Sequence, residues 1–236
     1  MVTARKRYDT LSAGRSEFLR RAREVSKLTI PSLIPEEGNT SSANYPTPYQ
    51  SIGSRGVNNL AAKLLTSLFP PNEPFFRLTV DDFDLADIAN DPEKRGQVEK
   101  ALAAIERSAL MEVESRAFRV PLYEALRHLI VGGNTLLFQP PRTGAVKVYP
   151  LSRYVIARDP LGTLLEVVIK ETIAIINIPE DLRTFLDISI EEGEDPSTKT
   201  VDRFTRVMMQ DGKYVLFQEM NDKIVPDSTT TYELDR

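Results

Sequence analysis

Residues 45–78 read "YPTPYQSIGSRGVNNLAAKLLTSLFPPNEPFFRL". Apolar residues Ile52, Val57, Leu60, Ala61, Leu64, Leu65 and Leu68 recur at helical spacing, which predicts a helix from about Tyr49 to Leu68. Pro70 and Pro71 stop it, because proline lacks the amide donor and clashes with the preceding turn. Gly53 and Gly56 sit near the mouth of that helix, where glycine serves either to cradle a phosphate or to let another backbone come close. The phosphate patterns G-x-x-x-x-G-K-[ST] and G-x-G-x-x-G both follow a strand, whereas a proline-rich connector precedes this helix. No Lys-Ser or Lys-Thr follows Gly56 either. Gly53, Gly56, Val57, Leu60 and Leu64 are therefore candidates for helix packing or subunit contact. Phe75 and Phe76, stiffened by neighbouring prolines, make a candidate docking patch, with burial in the core as the alternative.

N-terminal to this stretch, residues 4–27 are expected to form one helix with a narrow apolar stripe of Tyr8, Leu11, Phe18, Ala22 and Val25. Arg5, Lys6, Arg7, Arg20, Arg21 and Arg23 occupy its other face, a solvated surface or a contact for DNA or a neighbouring subunit. Residues 29–48 read as an irregular connector. After the central helix, "FFRLTV" (75–80) is expected as a strand and residues 81–96 as an acidic, turn-rich loop. A third helix begins near Asp91–Pro92 with Val98, Ala101, Leu102, Ile105, Ala109 and Val113 on one face. A fourth opens at Pro121, carries Leu122, Ala125, Leu126, Leu129 and Ile130, and ends at Gly132–Gly133. His128 falls off its apolar stripe.

From residue 146 the pattern turns to strands. "RYVIAR", the turn Asp159-Pro160-Leu161-Gly162 and "TLLEVVIKETI" predict a hairpin. A short helix follows at 179–186, then an acidic loop at 188–200. "VDRFTRVMMQ", Asp211-Gly212, "KYVLFQEM", Asn221-Asp222 and "KIVPDS" predict a meander. The closing "TTTYELDR" offers no further element, so an unpaired sheet edge and a chain that is part of something longer are expected. Helices first and strands later give an α+β fold, organised as a basic helix and connector (1–48), a helical core (49–145) and a β-rich region (146–236).

Composition narrows the chemistry. The chain has 236 residues, no cysteine and one histidine, which removes disulfides, thiolate metal sites, cysteine nucleophiles and His-rich zinc sites. Asp81, Asp82, Asp84, Asp87 and Asp91 lack the glycine and distal glutamate of a calcium loop. His128 has no serine or aspartate at triad spacing. No catalytic, cofactor-binding or metal-binding residue is assigned. The longest apolar runs are far short of a membrane span, and the basic N-terminus lacks the apolar stretch of a secretory signal. Net charge is −4 but uneven: residues 1–27 hold eight basic and three acidic side chains, and residues 179–236 hold seven and fourteen. The residues leave three classes open: a structural oligomer, a phosphate-binding enzyme using 53–56, and a monomeric DNA-binding adaptor using the basic helix.

"LTIPSLIP" (28–35), the 45–78 stretch, "ALRHLIVGGNTLLF" (125–138) and "YPLSRYVIARDPLGTLLEVV" (149–168) occur in that order. Together they resemble the N-terminal part of the portal proteins, or head-to-tail connectors, of short-tailed podovirus-type phages. The resemblance runs through roughly residues 15–180 and thins beyond about 190. It implies the wing-side region, without the stem, clip or crown. It further implies a non-enzymatic subunit of a twelve-membered ring at a capsid vertex, through which double-stranded DNA is packaged and ejected. The implied partners are other copies of itself, capsid and scaffolding proteins, a tail adaptor and the packaging terminase. No cofactor and no membrane are implied, and the setting is the virion, assembled in the host cytoplasm.

Overall fold

The computed structural model describes residues 2–36, 44–71, 73–79, 92–140, 145–190 and 195–232. Its described helices are α1 (Ala4–Gly14), α2 (Ser16–Leu28), α3 (Ile52–Leu68), α4 (Pro92–Ser115), α5 (Arg119–Gly132) and the short α6 (Glu180–Phe185). The strands are β1 (Leu136–Phe138), β2 (Lys147–Tyr149), β3 (Tyr154–Arg158), β4 (Leu164–Ala174), β5 (Thr200–Gln210), β6 (Lys213–Met220), β7 (Lys223–Ile224) and β8 (Thr230–Tyr232). Most helices precede most strands, the α+β order expected. The chain forms two compact units. One comprises Met1–Glu24, Ile34–Ser41 and Tyr149–Arg236; the other comprises Val25–Leu33 and Ser42–Val148.

The first unit is built on an antiparallel sheet in the order β3-β4-β5-β6-β7. Its tight turns follow from the residues that make them. Gly162 donates its amide to the Asp159 carbonyl at 3.0 Å, and the Asp159 side chain accepts from the Thr163 amide at 2.7 Å, closing the β3–β4 turn. Asp211 and Gly212 have φ of 52° and 79°, and Asn221 and Asp222 have 49° and 59°. Positive φ at both central residues matches the strand twist of a hairpin, and Asn, Asp and Gly tolerate it best. In-register pairs such as Val155↔Val168 and Phe204↔Glu219 fix which side chains share a face. On one face Val155, Val168 and Phe204 pack with Ala4 and Tyr8 of α1. The opposite face carries a second cluster of Ile178, Leu186 and Met220, flanked by Ile173, Leu182 and Val201. The sheet is thus covered by α1 on one side and by the α6 segment on the other.

The structure corrects two expectations in this unit. Residues 4–27 form two helices, because the backbone leaves helical geometry at Arg15 (φ −113°, ψ 11°) directly after Gly14. Glycine weakens a helix interior, and the break lets the Arg15 guanidinium reach the Leu151 carbonyl at 2.8 Å and lie 5.8 Å over the Tyr154 ring. The closing residues do add an element. Thr230–Tyr232 pairs with Tyr214–Leu216 of β6, beside the short β7 on the same edge.

In the second unit α3 packs on α5. Val57 and Ala61 of α3 are buried, as are Ala125, His128, Val131 and Gly132 of α5. Gly133, with φ 70°, caps α5 in the left-handed conformation as its sequence signals. His128 departs from expectation: it is 4% exposed, because the inward face of α5 runs through Ala125, His128 and Val131 while Leu129 turns outward. Residues 75–79 form no strand. There the chain follows side chains instead of a ladder: Phe69, Phe75 and Phe76 make two edge-on ring contacts at 4.9 and 5.2 Å, and the Leu78 amide donates to Glu106 Oε1 at 2.6 Å. Val80 and the acidic carboxylates Asp81–Asp91 lie outside the described residues. The expected apolar face of α4 is present in sequence but not buried: none of its described side chains is, and Ile105 and Met111 are exposed.

Candidate functional site

Among the described residues, a buried polar arrangement anchors α1 to the sheet. Thr3 caps the helix, its hydroxyl accepting from the Lys6 amide at 3.4 Å. The Ala4 amide, one of the helix's unpaired N-terminal donors, donates to both carboxylate oxygens of Glu219 at 2.9 and 3.0 Å. A carboxylate there also complements the positive end of the helix dipole. Three residues on, Arg7 Nε donates to Glu166 Oε2 at 2.6 Å, while Arg206 Nε donates to Glu166 Oε1 at 2.6 Å. Arg206 also donates to the Val2 carbonyl at 2.9 Å. The Glu166 and Arg206 side chains are each 7% exposed and that of Arg7 is 35% exposed. Two arginines and two carboxylates make a charge-balanced set, as burial requires. The Tyr8 hydroxyl adds a bond to the Ser152 carbonyl at 2.8 Å.

The six basic candidates divide accordingly. Arg7 belongs to this anchor. Arg20 is held on its own helix by Glu17 at 2.9 Å and Glu24 at 2.6 Å. Arg5, Lys6 and Arg21 are exposed and Arg23 is half-buried. The break at Arg15 puts the first three on α1 and the rest on α2, so they do not form the single helix face expected.

The glycines also separate. A Cβ at Gly53 would stand 2.6 Å from the Leu28 carbonyl oxygen and 3.3 Å from Thr29 Cα, so only glycine admits this backbone approach. The space beside Gly53 thus holds a carbonyl oxygen, which repels an anion. At Gly56 a Cβ would meet nothing within 4 Å, and among the described residues nothing demands glycine. Of the other candidates Val57 is buried, Leu64 and Phe76 are half-buried, and Leu60 and Phe75 are exposed. The end of α3 is held by Arg119, whose guanidinium donates to the Phe69 carbonyl and, at 3.0 Å, to the Pro70 carbonyl.

Titratable groups show structural burial. Desolvation, with help from the Arg127 charge, lowers His128 to about 4, so the ring is neutral. Burial pushes Tyr154 up to about 12 against a small opposing effect of Arg15. Burial also raises Tyr149, as does Glu171, which accepts its hydroxyl at 3.1 Å. Among the described residues no group of three or more His, Asp or Glu is placed to hold a metal, and no helix is long and apolar enough to cross a membrane.

Sequence reasoning missed Glu166, Arg206 and Glu219. The available signal was a charged residue inside an apolar strand run: "LLEVV" (164–168), "FTRVM" (204–208) and "LFQEM" (216–220). Such a residue asks for a buried partner, but nothing local names it.

The bacteriophage head-to-tail connecting protein family model matches residues 2–189, which crosses both units. The chain belongs to this family. Among its relatives, the portal protein of Enterobacteria phage T3 is 37% identical over 237 residues, covering 98% of this chain and 44% of the relative. The portal protein of Escherichia phage T7 is 35% identical, covering 97% and 43%. That of Enterobacteria phage SP6 is 31% identical, covering 79% and 36%. The chain therefore spans less than half the length of these connector relatives. The anchor residues Glu166 and Arg7 lie inside the family match, and Arg206 and Glu219 lie beyond it.

Proposed function

We propose that this chain is the wing-side part of a portal subunit, a structural component of a ring at one capsid vertex. Double-stranded DNA is packaged and later ejected through the ring, which joins head to tail in the virion. The observation that carries this reading is the connector-family match across residues 2–189, with relatives that are portal proteins. The exposed apolar side chains of the helical unit, including Ile52 at 75% and Val120 at 71%, agree with surfaces that other copies cover. In this reading the ring is passive and the packaging motor is a separate protein. Its other neighbours are capsid and scaffolding proteins and the tail adaptor, and it assembles in the host cytoplasm. A copy number of twelve is part of this reading, as the family resemblance implies. The net charge of −4 suits a conduit, since each phosphate neutralised would add affinity and drag.

Electron microscopy of the full-length product tests the proposal. Rings with a central hole are expected; a protein that stays monomeric at all concentrations and salts would overturn it.

A further inference from the structure

The sheet unit carries an open groove of about 360 Å³ between α6 and the residues after β7. Leu182, Phe185 and Val225 form its apolar lining, Pro179 and Pro226 are stiff walls, and Asp181 and Asp227 add two carboxylates. Asp187, close by in sequence, is already engaged by Lys223 Nζ at 2.6 Å, and the same ammonium donates to the Phe185 carbonyl at 3.0 Å. Asp181 and Asp227 have no ion pair among the described residues, and both are exposed. Apolar lining with two carboxylates suits an arginine: its aliphatic stem covers carbon surface while its guanidinium answers the acidic charge.

The same chain displays such a side chain. On α2, Phe18 and Arg21 are three residues apart, which places them on one stripe of the helix. Both are exposed, Phe18 at 43%. Glu17 and Glu24 are taken by Arg20, so Arg21 has no ion pair among the described residues. One surface is apolar with a cation, the other apolar with anions.

We propose that the groove of one copy receives the α2 ridge of a second copy, with Arg21 seated between Asp181 and Asp227. Two different surfaces of each subunit meeting head to tail is the arrangement that closes a ring. The proposal rests on the ring reading above and names one contact within it.

The test is charge exchange in the full-length protein, with assembly followed by mass photometry and negative-stain microscopy across protein concentration. Arg21→Glu, or Asp181→Arg with Asp227→Arg, raises the half-assembly concentration at least about tenfold, because like charges then face each other at every interface. Combining the three substitutions restores most of the assembly. All three side chains are exposed, so unchanged melting of the unassembled protein serves as the folding control. Rings that form equally well in every variant overturn the contact and leave the ring reading standing. Loss in both single-sided variants without recovery in the combination also overturns it. A wild-type protein that never assembles overturns the ring reading and this contact together.

Discussion

Replacing Glu166 by glutamine keeps the shape of the α1 anchor and removes its central charge. Arg206 then sits with its side chain 7% exposed and no carboxylate against its Nε, while its other described bond, to the Val2 carbonyl, remains. Breaking a buried pair by deleting one member costs about 3–5 kcal/mol. The retained carbonyl bond and the neutral amide oxygen argue for the lower end, about 3 kcal/mol. Arg7 is 35% exposed, so water compensates much of its loss, and Arg7→Ala is expected to cost roughly 1 kcal/mol through this pair. For a chain of this size each kcal/mol moves the melting midpoint by about 2–4 °C, so Glu166→Gln lowers it by roughly 6–12 °C. Because the chain has two units, circular dichroism alone mixes their transitions. Hydrogen exchange at the amides of α1 and β4 isolates the sheet unit. The expected order of loss is Glu166→Gln well above Arg7→Ala, with Glu166→Met plus Arg206→Met recovering much of the stability. A Glu166→Gln protein with unchanged protection of α1 would refute the reasoning, as would equal losses for Arg7→Ala and Arg206→Ala.

Three further substitutions probe the helical unit. His128 has a folded-state value near 4 against 6.5 for an ordinary histidine, so the unfolded chain binds the extra proton. Stability is complete above pH 6.5 and falls as pH drops from 6.5 towards 4, by up to about 3 kcal/mol; His128→Gln should flatten that stretch of a stability profile from urea denaturation. Gly53→Ala should lower the melting midpoint, since the new Cβ forces the Leu28 carbonyl aside at a cost of about 1–3 kcal/mol. Gly56→Ala, with open space around it, should raise stability by up to about 1 kcal/mol; scanning calorimetry of the two variants checks that the signs are opposite.

Much of the fold was legible because its signals are local. The stop at Pro70–Pro71, the left-handed cap at Gly133 and the turns at Asp211–Gly212 and Asn221–Asp222 each follow from a backbone preference of the residues present. Where a local rule met a tertiary contact, the contact prevailed. Arg15 left the helix to reach Leu151 and Tyr154, and "FFRL" abandoned strand geometry for ring contacts and the Glu106 carboxylate. The candidate sites were legible only in part. Gly53 and Gly56 look alike in sequence, yet only one faces another backbone.

By itself the sequence determined the α+β order, the hairpin and the meander, because helical and strand periods and turn residues act over a few positions. It also delimited the chemistry, since a chain without cysteine and with one histidine lacks the ligands and nucleophiles that many sites need. Only the tertiary structure decided that α1 belongs with strands 159 to 215 residues further on, through Ala4 to Glu219 and Arg7 to Glu166. Which buried charge answers which depends on where distant strands place them, and periodicity along a chain carries no record of that distance.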